Sequence, residues 1–279
     1  MEQRDKNLIK KGSINIFDCI QQSLAKGHGA LIGRHGSTEM TCIFSDSPEI
    51  YKKVLETYSG IFGNFQEWIS VYKEATSEAD IFAVGWYEPL AKKEIDYVQK
   101  ISKAVLIPLR SLEPYYSSNP WSSALEGRRV SVVSSFADTM RKQRERDIWE
   151  DKNILPKAKW SFVRSYYCPS ISCGSCEWPS GIICWKTAVD YLEREILATR
   201  PEIVLIGCGG LAMPLALRLK NKGIIALVIG GAIQILFGIK GLRWESHPEI
   251  SEFFNDSWVF PSDDEIPGCA EKIERGCYW

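Results

Sequence analysis

The chain has 279 residues, 45% of them hydrophobic and 25% charged, and its formal net charge is −1. This length and apolar content suffice for one large α/β core, so we expect a single domain over residues 1–279. The balanced charge excludes nucleic acid as a partner, because that partner selects a basic surface. No apolar run reaches the roughly 18 residues of a membrane helix, and the polar first residues are unlike a signal peptide. We expect a cytoplasmic protein without a transmembrane segment.

Short apolar runs alternate with helical patterns along the chain. A first helix is predicted over residues 14–26, and the first strand follows it at Ala30–Arg34. Further strands are predicted at 80–84, 104–108, 129–134, 160–166, 203–206 and 224–229. Further helices are predicted at 48–58, 64–76, 88–103, 121–125, 182–199 and 211–220. This alternation predicts an α/β fold whose largely parallel sheet is flanked by helices. Ligands of such sheets bind outside the carboxyl ends of the strands.

The turn after the first predicted strand, Gly33-Arg-His-Gly-Ser-Thr-Glu39, concentrates polar side chains at a strand end. Glu39 could hold a divalent cation or act as a base. Arg34 could bind a phosphate or orient Glu39. His35 could also act as a base, although a lone histidine beside a strand is more often structural. This turn is the first candidate for the chemical site.

Two later strand ends carry further candidates. Asp138 follows the strand at 129–134 and could deprotonate a substrate, but a carboxylate there serves equally well as a helix cap. Trp86 and Tyr87 follow the strand at 80–84, where they could stack on a base or a sugar or pack in the core. A loop over residues 166–179 could exclude water from the site.

A glycine turn follows the predicted strand at 203–206, in the segment Gly207-Cys-Gly-Gly-Leu-Ala212. Glycines let the backbone approach an anion, and the free N–H groups of a helix start can face a phosphate. The segment matches the G-x-G-x-x-G/A dinucleotide pattern, but no acidic residue ends the next strand to hold a ribose. Gly207, Gly209 and Gly210 therefore indicate a phosphate or nucleotide-sugar contact. A nicotinamide or flavin site and a turn needed only for packing remain as alternatives.

A second glycine block occupies residues 230–244. Two glycines end a strand, a short apolar helix follows, and glycines break it again beside two cations. Such a loop suits a diphosphate, because cations and backbone N–H groups can converge there. The alternative is a surface loop with solvated cations. The candidate binding residues in this block are Gly230, Gly231, Gln234, Lys240 and Arg243.

Four of the nine cysteines lie close together in the sequence, at Cys168, Cys173, Cys176 and Cys184. The C-x-x-C pair formed by Cys173 and Cys176 has the spacing of half a zinc knuckle, but the second half is missing. Reduced thiols are the simplest interpretation of this cluster. A zinc site and a redox pair are the alternatives.

Several of these segments together resemble a known family. The matching segments are 31–39, 125–138, 205–215, 230–244, 258–265 and 276–279, and the block at 230–244 is the most specific of them. They resemble bacterial glycosyltransferases of the GT-D fold. The resemblance implies a Rossmann-like domain that transfers a hexose from a nucleotide sugar, usually a UDP-sugar, to a glycan, polysaccharide or lipid-linked acceptor.

The resemblance also bears on the cofactor. The D-x-E motif with which the better-studied GT-D enzymes bind a divalent metal, usually Mn²⁺ and alternatively Mg²⁺, falls on Ser37-Thr-Glu39. Gly36 precedes this motif and belongs to the same candidate binding turn. Ser37 replaces the aspartate, and one carboxylate holds a cation more weakly than two. Lys240 and Arg243 would then supply positive charge at the leaving diphosphate.

Two other functions remain open on the sequence. One is a non-catalytic protein of the same fold that binds a glycan or a pathway partner, which the loss of the aspartate at Ser37 favours. The other is a dinucleotide-dependent oxidoreductase, which the missing acidic residue disfavours. Apolar clusters at 253–254 and 258–260 leave room for a homo-oligomer surface, although burial in the core explains them as well.

Overall fold

The computed structural model describes residues 3–45, 47–150, 153–167, 176–268 and 270–279. Within these residues the chain forms one sheet of seven strands in the order β3-β2-β1-β7-β6-β4-β5. Every neighbouring pair is parallel. The strands are β1 Ala30–Arg34, β2 Ile81–Val84, β3 Val105–Pro108, β4 Arg129–Ser134, β5 Lys159–Arg164, β6 Ile203–Gly207 and β7 Ile225–Val228. The predicted parallel sheet is confirmed.

The central strands are apolar on both faces, as expected for a parallel sheet covered by helices. Ile32 of β1 lies opposite Ile81 of β2 and Leu227 of β7. All three side chains are almost fully buried. Continuous apolar runs of this kind therefore marked the strands in the sequence.

Helices cover both faces of the sheet. They are α1 Gln3–Lys26, α2 Ser37–Ile43, α3 Pro48–Val54, α4 Phe65–Ser77, α5 Ala91–Ile101, α6 Ala137–Gln143, α7 Trp185–Ala198, α8 Ala212–Asn221, α9 Ala232–Leu236, α10 Leu242–Glu245 and α11 Pro248–Ser251. One core packs α4, α7 and α8 against the sheet, with Trp68 at its centre. The other core packs α1, α6 and α9 against the opposite face.

Some predicted helices differ from the observed ones. Helix α1 begins at Gln3 rather than residue 14, because a polar, exposed first half extends the amphipathic second half. The helix predicted over 48–58 ends at Val54 and continues as a π-helical turn, Leu55–Ser59, which stops at Gly60 with φ +69°. The helix predicted over 211–220 starts with a 3-10 turn, Gly209–Leu211, before α8. Both irregular turns border the site described below.

The connections after the central strands place a crevice above the sheet. Residues that follow β1 and β6 pack in the first core. Residues that follow β4 and β7 pack in the second core. Because neighbouring strands feed helices on opposite faces, their loops separate and open a crevice at the carboxyl edge.

The last residues of the chain close one side of this crevice. The N–H of Arg243 donates to the carbonyl of Cys277 at 2.9 Å. The Gln234 side chain donates to the carbonyl of Tyr278 at 2.7 Å, and the Trp279 indole donates to the carbonyl of Glu265 at 3.3 Å. These bonds fix the ring of Tyr278 at the edge of the crevice.

The predicted cysteine cluster and the predicted loop over residues 166–179 lie only partly within the described residues. Cys168 and Cys173 lie outside the described residues, as does most of the loop predicted to exclude water. Cys176 and Cys184 are free thiols. Among the helices that the structure describes, none is long and apolar enough to cross a membrane.

Candidate functional site

A cleft of about 1050 Å³ lies above the carboxyl edge of the sheet. This volume is at the upper end of the range for small-molecule sites. Residues that follow each of the seven strands line it, together with the end of the chain. The predicted site residues that line the cleft are Arg34, Gly36, Ser37, Glu39, Gly207, Gly209, Gly230, Gly231, Gln234 and Arg243.

The turn after β6 forms the floor of the cleft at its centre. Gly209 has φ +57°, and a Cβ there would lie 2.9 Å from the carbonyl oxygen of Ser59. Its N–H donates to no described residue. Gly210 lies behind the cleft instead, where its carbonyl accepts the Trp68 indole N–H at 2.9 Å. Gly207 and Gly209 therefore line the cleft, whereas Gly210 serves packing.

The turn after β7 lies directly beside it. A Cβ on Gly207 would lie 2.9 Å from the carbonyl oxygen of Gly230. Gly230 has φ +70°, and a Cβ on it would lie 2.8 Å from Nη1 of Arg34. The N–H of Gly231, like that of Gly209, donates to no described residue. The two glycine turns thus bring unpaired N–H groups to one place.

Arg34 is held at this place by its neighbours. Its Nε and Nη2 donate to the carbonyl of His35 at 3.1 and 3.0 Å. The guanidinium lies 5.1 Å from the centre of the Trp86 ring, and the Trp86 indole donates to the same carbonyl at 3.2 Å. Arg34 forms no salt bridge with any described residue. Its charge is therefore available to an anion in the cleft.

Glu39 provides a carboxylate at the centre of the cleft. It is 6% exposed, and its Oε1 accepts the Ser59 hydroxyl at 2.8 Å. Its Oε2 folds back over the start of α2, where a Cβ on Gly36 would overlap it. Burial first, and this carboxylate second, raise the pKa of the Cys208 thiol, so Cys208 stays protonated.

The side chains around Glu39 do not fit a divalent metal held by the protein. Glu39 uses one oxygen for Ser59 and turns the other toward its own helix. In the described part of the chain, no group of three or more His, Cys, Asp or Glu side chains could hold a metal ion. Hard cations such as Mn²⁺ or Mg²⁺ take several oxygen ligands. A cation at Glu39 would therefore depend on oxygens of a bound phosphate in addition to this carboxylate.

The two cations of the second glycine block have different positions. The Arg243 guanidinium lines the cleft, pairs with Glu274 and donates to the Tyr278 hydroxyl at 3.3 Å. The Lys240 ammonium lies 5.4 Å from the centre of the Phe254 ring, and Lys240 does not line the cleft. The predicted contact of Lys240 with a diphosphate therefore finds no support in its position, because its side chain packs on Phe254.

Gln234 touches the cleft but serves the fold. It is fully buried. Its amide nitrogen donates to the carbonyls of Lys240 and Tyr278, each at 2.7 Å. Its amide oxygen accepts the Trp244 indole N–H at 3.3 Å. Because the whole amide is occupied, Gln234 ties the broken loop together instead of binding a ligand as predicted.

His35 and Asp138 do not reach the cleft. His35 is fully buried, with Nδ1 2.9 Å from Glu94 and Nε2 3.2 Å from Thr76. His35 is thus a buried histidine whose two ring nitrogens both have hydrogen-bond partners, which agrees with a structural role. Asp138 pairs with Arg141 and Arg164. Neither residue lines the cleft, so neither position supports the predicted role as a base.

Sequence reasoning missed the far end of the cleft. The segment after β3 consists of two 3-10 turns, Leu109–Leu112 and Pro114–Tyr116, with Glu113 between them. Glu113 lines the cleft, and burial raises its pKa from the ordinary 4.5 to about 7. The only signal in the sequence was that this segment follows a strand.

The overall fold is similar to that of solved structures described as glycosyltransferases. One is a new glycosyltransferase from Streptococcus sanguinis, with 13% identity, a TM-score of 0.49, and coverage of 89% of this chain and 94% of that chain. Another, a domain of unknown function 1792 with a distinct glycosyltransferase fold, has 14% identity, a TM-score of 0.46, and coverage of 80% and 81%. A selenomethionine structure of the same type of domain has 13% identity, a TM-score of 0.47, and coverage of 81% and 82%.

No protein-family model matches the chain. No curated protein matches it either. Identities this low concern architecture alone, so the chemistry of this chain has to be derived from its own cleft.

Proposed function

We propose that the chain is a glycosyltransferase that moves a sugar from a nucleoside-diphosphate sugar to an acceptor hydroxyl. One observation carries the proposal: the glycine turns after β6 and β7 meet beside Arg34 in one cleft. The N–H groups of Gly209 and Gly231 donate to no described residue. Backbone N–H groups and a guanidinium are the donors that a diphosphate selects.

The same groups would assist the departure of the diphosphate. Negative charge grows on the leaving group as its bond to the sugar breaks, and fixed donors stabilise that charge. Arg34 and Arg243 lie beside the turns, because a Cβ on Gly230 would lie 2.8 Å from Nη1 of Arg34 and a Cβ on Gly231 would lie 3.8 Å from Nη1 of Arg243. Arg34 supplies an unpaired positive charge to the diphosphate, whereas Arg243 shares its charge with Glu274. A UDP-hexose is the donor that the sequence resemblance suggests, with a glycan or lipid-linked acceptor in the cytoplasm.

Glu39 is a carboxylate beside the turn after β6. Ser59 donates to Glu39 and its carbonyl contacts Gly209, so the three residues form one unit at the centre of the cleft. We assign to Glu39 the acceptance of a hydrogen bond from a sugar hydroxyl of the donor. A carboxylate there orients the sugar over the diphosphate.

The substitution Glu39→Ala tests this assignment. We expect transfer to fall by about 100-fold or more, since the sugar loses its orienting partner. The fold should remain, as measured by circular dichroism and the melting temperature, and UDP should still bind. The matched control is Glu74→Gln on the exposed side of α4, which should keep full activity. Unchanged turnover in Glu39→Ala would contradict the assignment.

A non-catalytic protein that binds a sugar nucleotide is a second candidate. The single carboxylate at Glu39 favours it, since Ser37 stands in place of a second one. This candidate predicts UDP-sugar binding with no release of UDP under any condition. A dinucleotide-dependent oxidoreductase has less support, because Val228–Gly231 offers no carboxylate for a ribose.

A further inference from the structure

The end of the cleft beyond Arg34 has its own chemistry. It is bordered by the ends of β2 and β3 and by α11, and Trp86, Arg110, Glu113, Tyr116 and Glu249 line it. The backbone of Glu113 is fixed, since its N–H donates to Arg110 and its carbonyl accepts from Tyr116, both at 3.1 Å. The carboxyl is thus delivered to the cleft from a rigid turn.

The cation beside Glu113 is already occupied. Arg110 pairs with Glu249 of α11, and its guanidinium lies 4.6 Å from the centre of the Tyr116 ring. Glu113 forms no salt bridge with a described residue. Its carboxyl accepts a hydrogen bond from Tyr115 and retains acceptor capacity for a ligand.

The groups that face Glu113 come from every neighbouring element. Burial is the largest influence and raises its pKa to about 7. Arg110, Arg34 of β1 and a hydrogen bond from Tyr115 act in the opposite direction, and Glu249 of α11 adds to the increase. A carboxyl with this pKa exchanges a proton near neutral pH, which is the property that a general base needs.

Arg34 connects this end with the centre of the cleft. Its guanidinium lies beside Gly230, where a Cβ would be 2.8 Å from Nη1, and 5.1 Å from the centre of the Trp86 ring. Its charge also acts on Glu113. Arg34 is therefore close to the glycine turns and also close enough to Glu113 to act on its charge. The rings of Trp86 and Tyr116 offer apolar surfaces on which an acceptor sugar can pack.

We propose that Glu113 is the base that deprotonates the acceptor, and that this end of the cleft binds an acceptor with a sugar ring and a free hydroxyl. The proposal rests on the proposed glycosyltransferase function. Glu113 would accept the proton, and this end of the cleft would bind the acceptor, next to the donor-binding centre.

The proposed reaction is a single displacement at the anomeric carbon of the donor sugar. The acceptor oxygen forms a bond to the anomeric carbon while the bond from that carbon to the diphosphate oxygen breaks. The electron pair leaves with the nucleoside diphosphate, and the hydroxyl proton passes to the carboxylate of Glu113. Attack from the side opposite the leaving group inverts the configuration of the sugar.

Transfer kinetics of Glu113→Gln and Glu113→Asp test the proposal. UDP release would be measured from UDP-glucose and UDP-N-acetylglucosamine with methyl and p-nitrophenyl glycosides as acceptors. We expect Glu113→Gln to lower kcat by about 100-fold or more, with the Kd of UDP within twofold of the wild type. Glu113→Asp should retain part of the rate. In the wild type, kcat should fall with decreasing pH through about pH 7, because the carboxyl becomes protonated.

The outcomes separate this proposal from the function on which it rests. If the wild type binds none of UDP, GDP and dTDP, both are overturned. If UDP binds and Glu113→Gln transfers at the wild-type rate with the same pH profile, only the assignment of Glu113 is wrong. The control Glu74→Gln should change neither rate nor profile.

A second measurement needs no acceptor. Carboxyl ¹³C NMR of the wild type and of Glu113→Gln identifies the resonance of Glu113, and its titration gives the pKa. We expect a carboxyl that titrates near pH 7 and that is lost in the variant. A Glu113 carboxyl that titrates below pH 5 would overturn the proposal.

Discussion

The centre of the cleft and its far end are built in different ways. At the centre, backbone forms the surface: Gly209 and Gly230 have positive φ, and each lies so close to a neighbour that a Cβ would clash. At the far end, side chains on two irregular turns form the surface, with Glu113 and the Arg110–Glu249 pair. The centre can bind an anion, but its carboxylate, Glu39, is already hydrogen-bonded to Ser59. The far end offers the carboxyl of Glu113, whose pKa of about 7 allows proton exchange near neutral pH. Binding and proton transfer are thus assigned to separate regions.

The largest expected effect concerns the backbone at the centre. Gly209→Ala should lower the free energy of unfolding by about 3 kcal/mol, since the positive φ and the clash with the Ser59 carbonyl both cost energy. Gly127→Ala is the matched control, because Gly127 also has positive φ but open space around it. We expect about 1 kcal/mol there. Equal losses in urea denaturation would show that close packing at the centre is unimportant.

A smaller effect is expected at the far end, and it depends on pH. The pKa of Glu113 is raised from 4.5 to about 7 in the folded state, so its ionisation destabilises the fold. This cost is absent below about pH 4.5, grows as the pH rises to 7, and is constant above it. Glu113→Gln should therefore stabilise the protein by up to about 3 kcal/mol at pH 8 and by nothing at pH 4. If the free energy of unfolding of Glu113→Gln differed from that of the wild type by the same amount at pH 4 and at pH 8, the raised pKa of Glu113 would be contradicted.

The smallest effect compares the cations. Arg34→Ala should weaken UDP binding about 10-fold, since a charge-assisted contact is worth about 1.4 kcal/mol or more. Arg243→Ala should weaken it less, because Glu274 already pairs with Arg243. Lys240→Ala is the control and should leave the Kd unchanged. Calorimetry that finds Lys240→Ala as harmful as Arg34→Ala would place the diphosphate elsewhere.

The same contrast explains what the sequence could predict. All seven strands were predicted, because residues such as Ile32 and Leu227 lie in apolar runs buried on both faces. The glycine turns were also predicted, since a backbone that must approach a neighbour or adopt positive φ requires glycine. The centre of the site therefore left a pattern in the sequence.

Side-chain direction left no such pattern. Lys240 and Arg243 are three residues apart in one loop, yet packing on Phe254 turns Lys240 away from the cleft. His35 follows Arg34 in the sequence, but its side chain points into the core. Its Nδ1 lies there 2.9 Å from a carboxylate oxygen of Glu94. Glu113 lies in a segment without a motif, and its pKa depends on burial by residues distant in the sequence. These features depend on tertiary packing, which spacing alone does not specify.

The most direct test of a diphosphate site at the glycine turns is a thermal-shift measurement on the purified protein. The ligands are UDP, GDP, dTDP, UDP-glucose, UDP-N-acetylglucosamine, NAD and NADP, each with and without Mn²⁺. A ligand that binds only the folded state raises the melting temperature. We predict that a nucleoside diphosphate and its sugar raise it without Mn²⁺, and that Arg34→Ala reduces the shift. A shift with NAD or NADP alone, or with none of the ligands, would contradict the account.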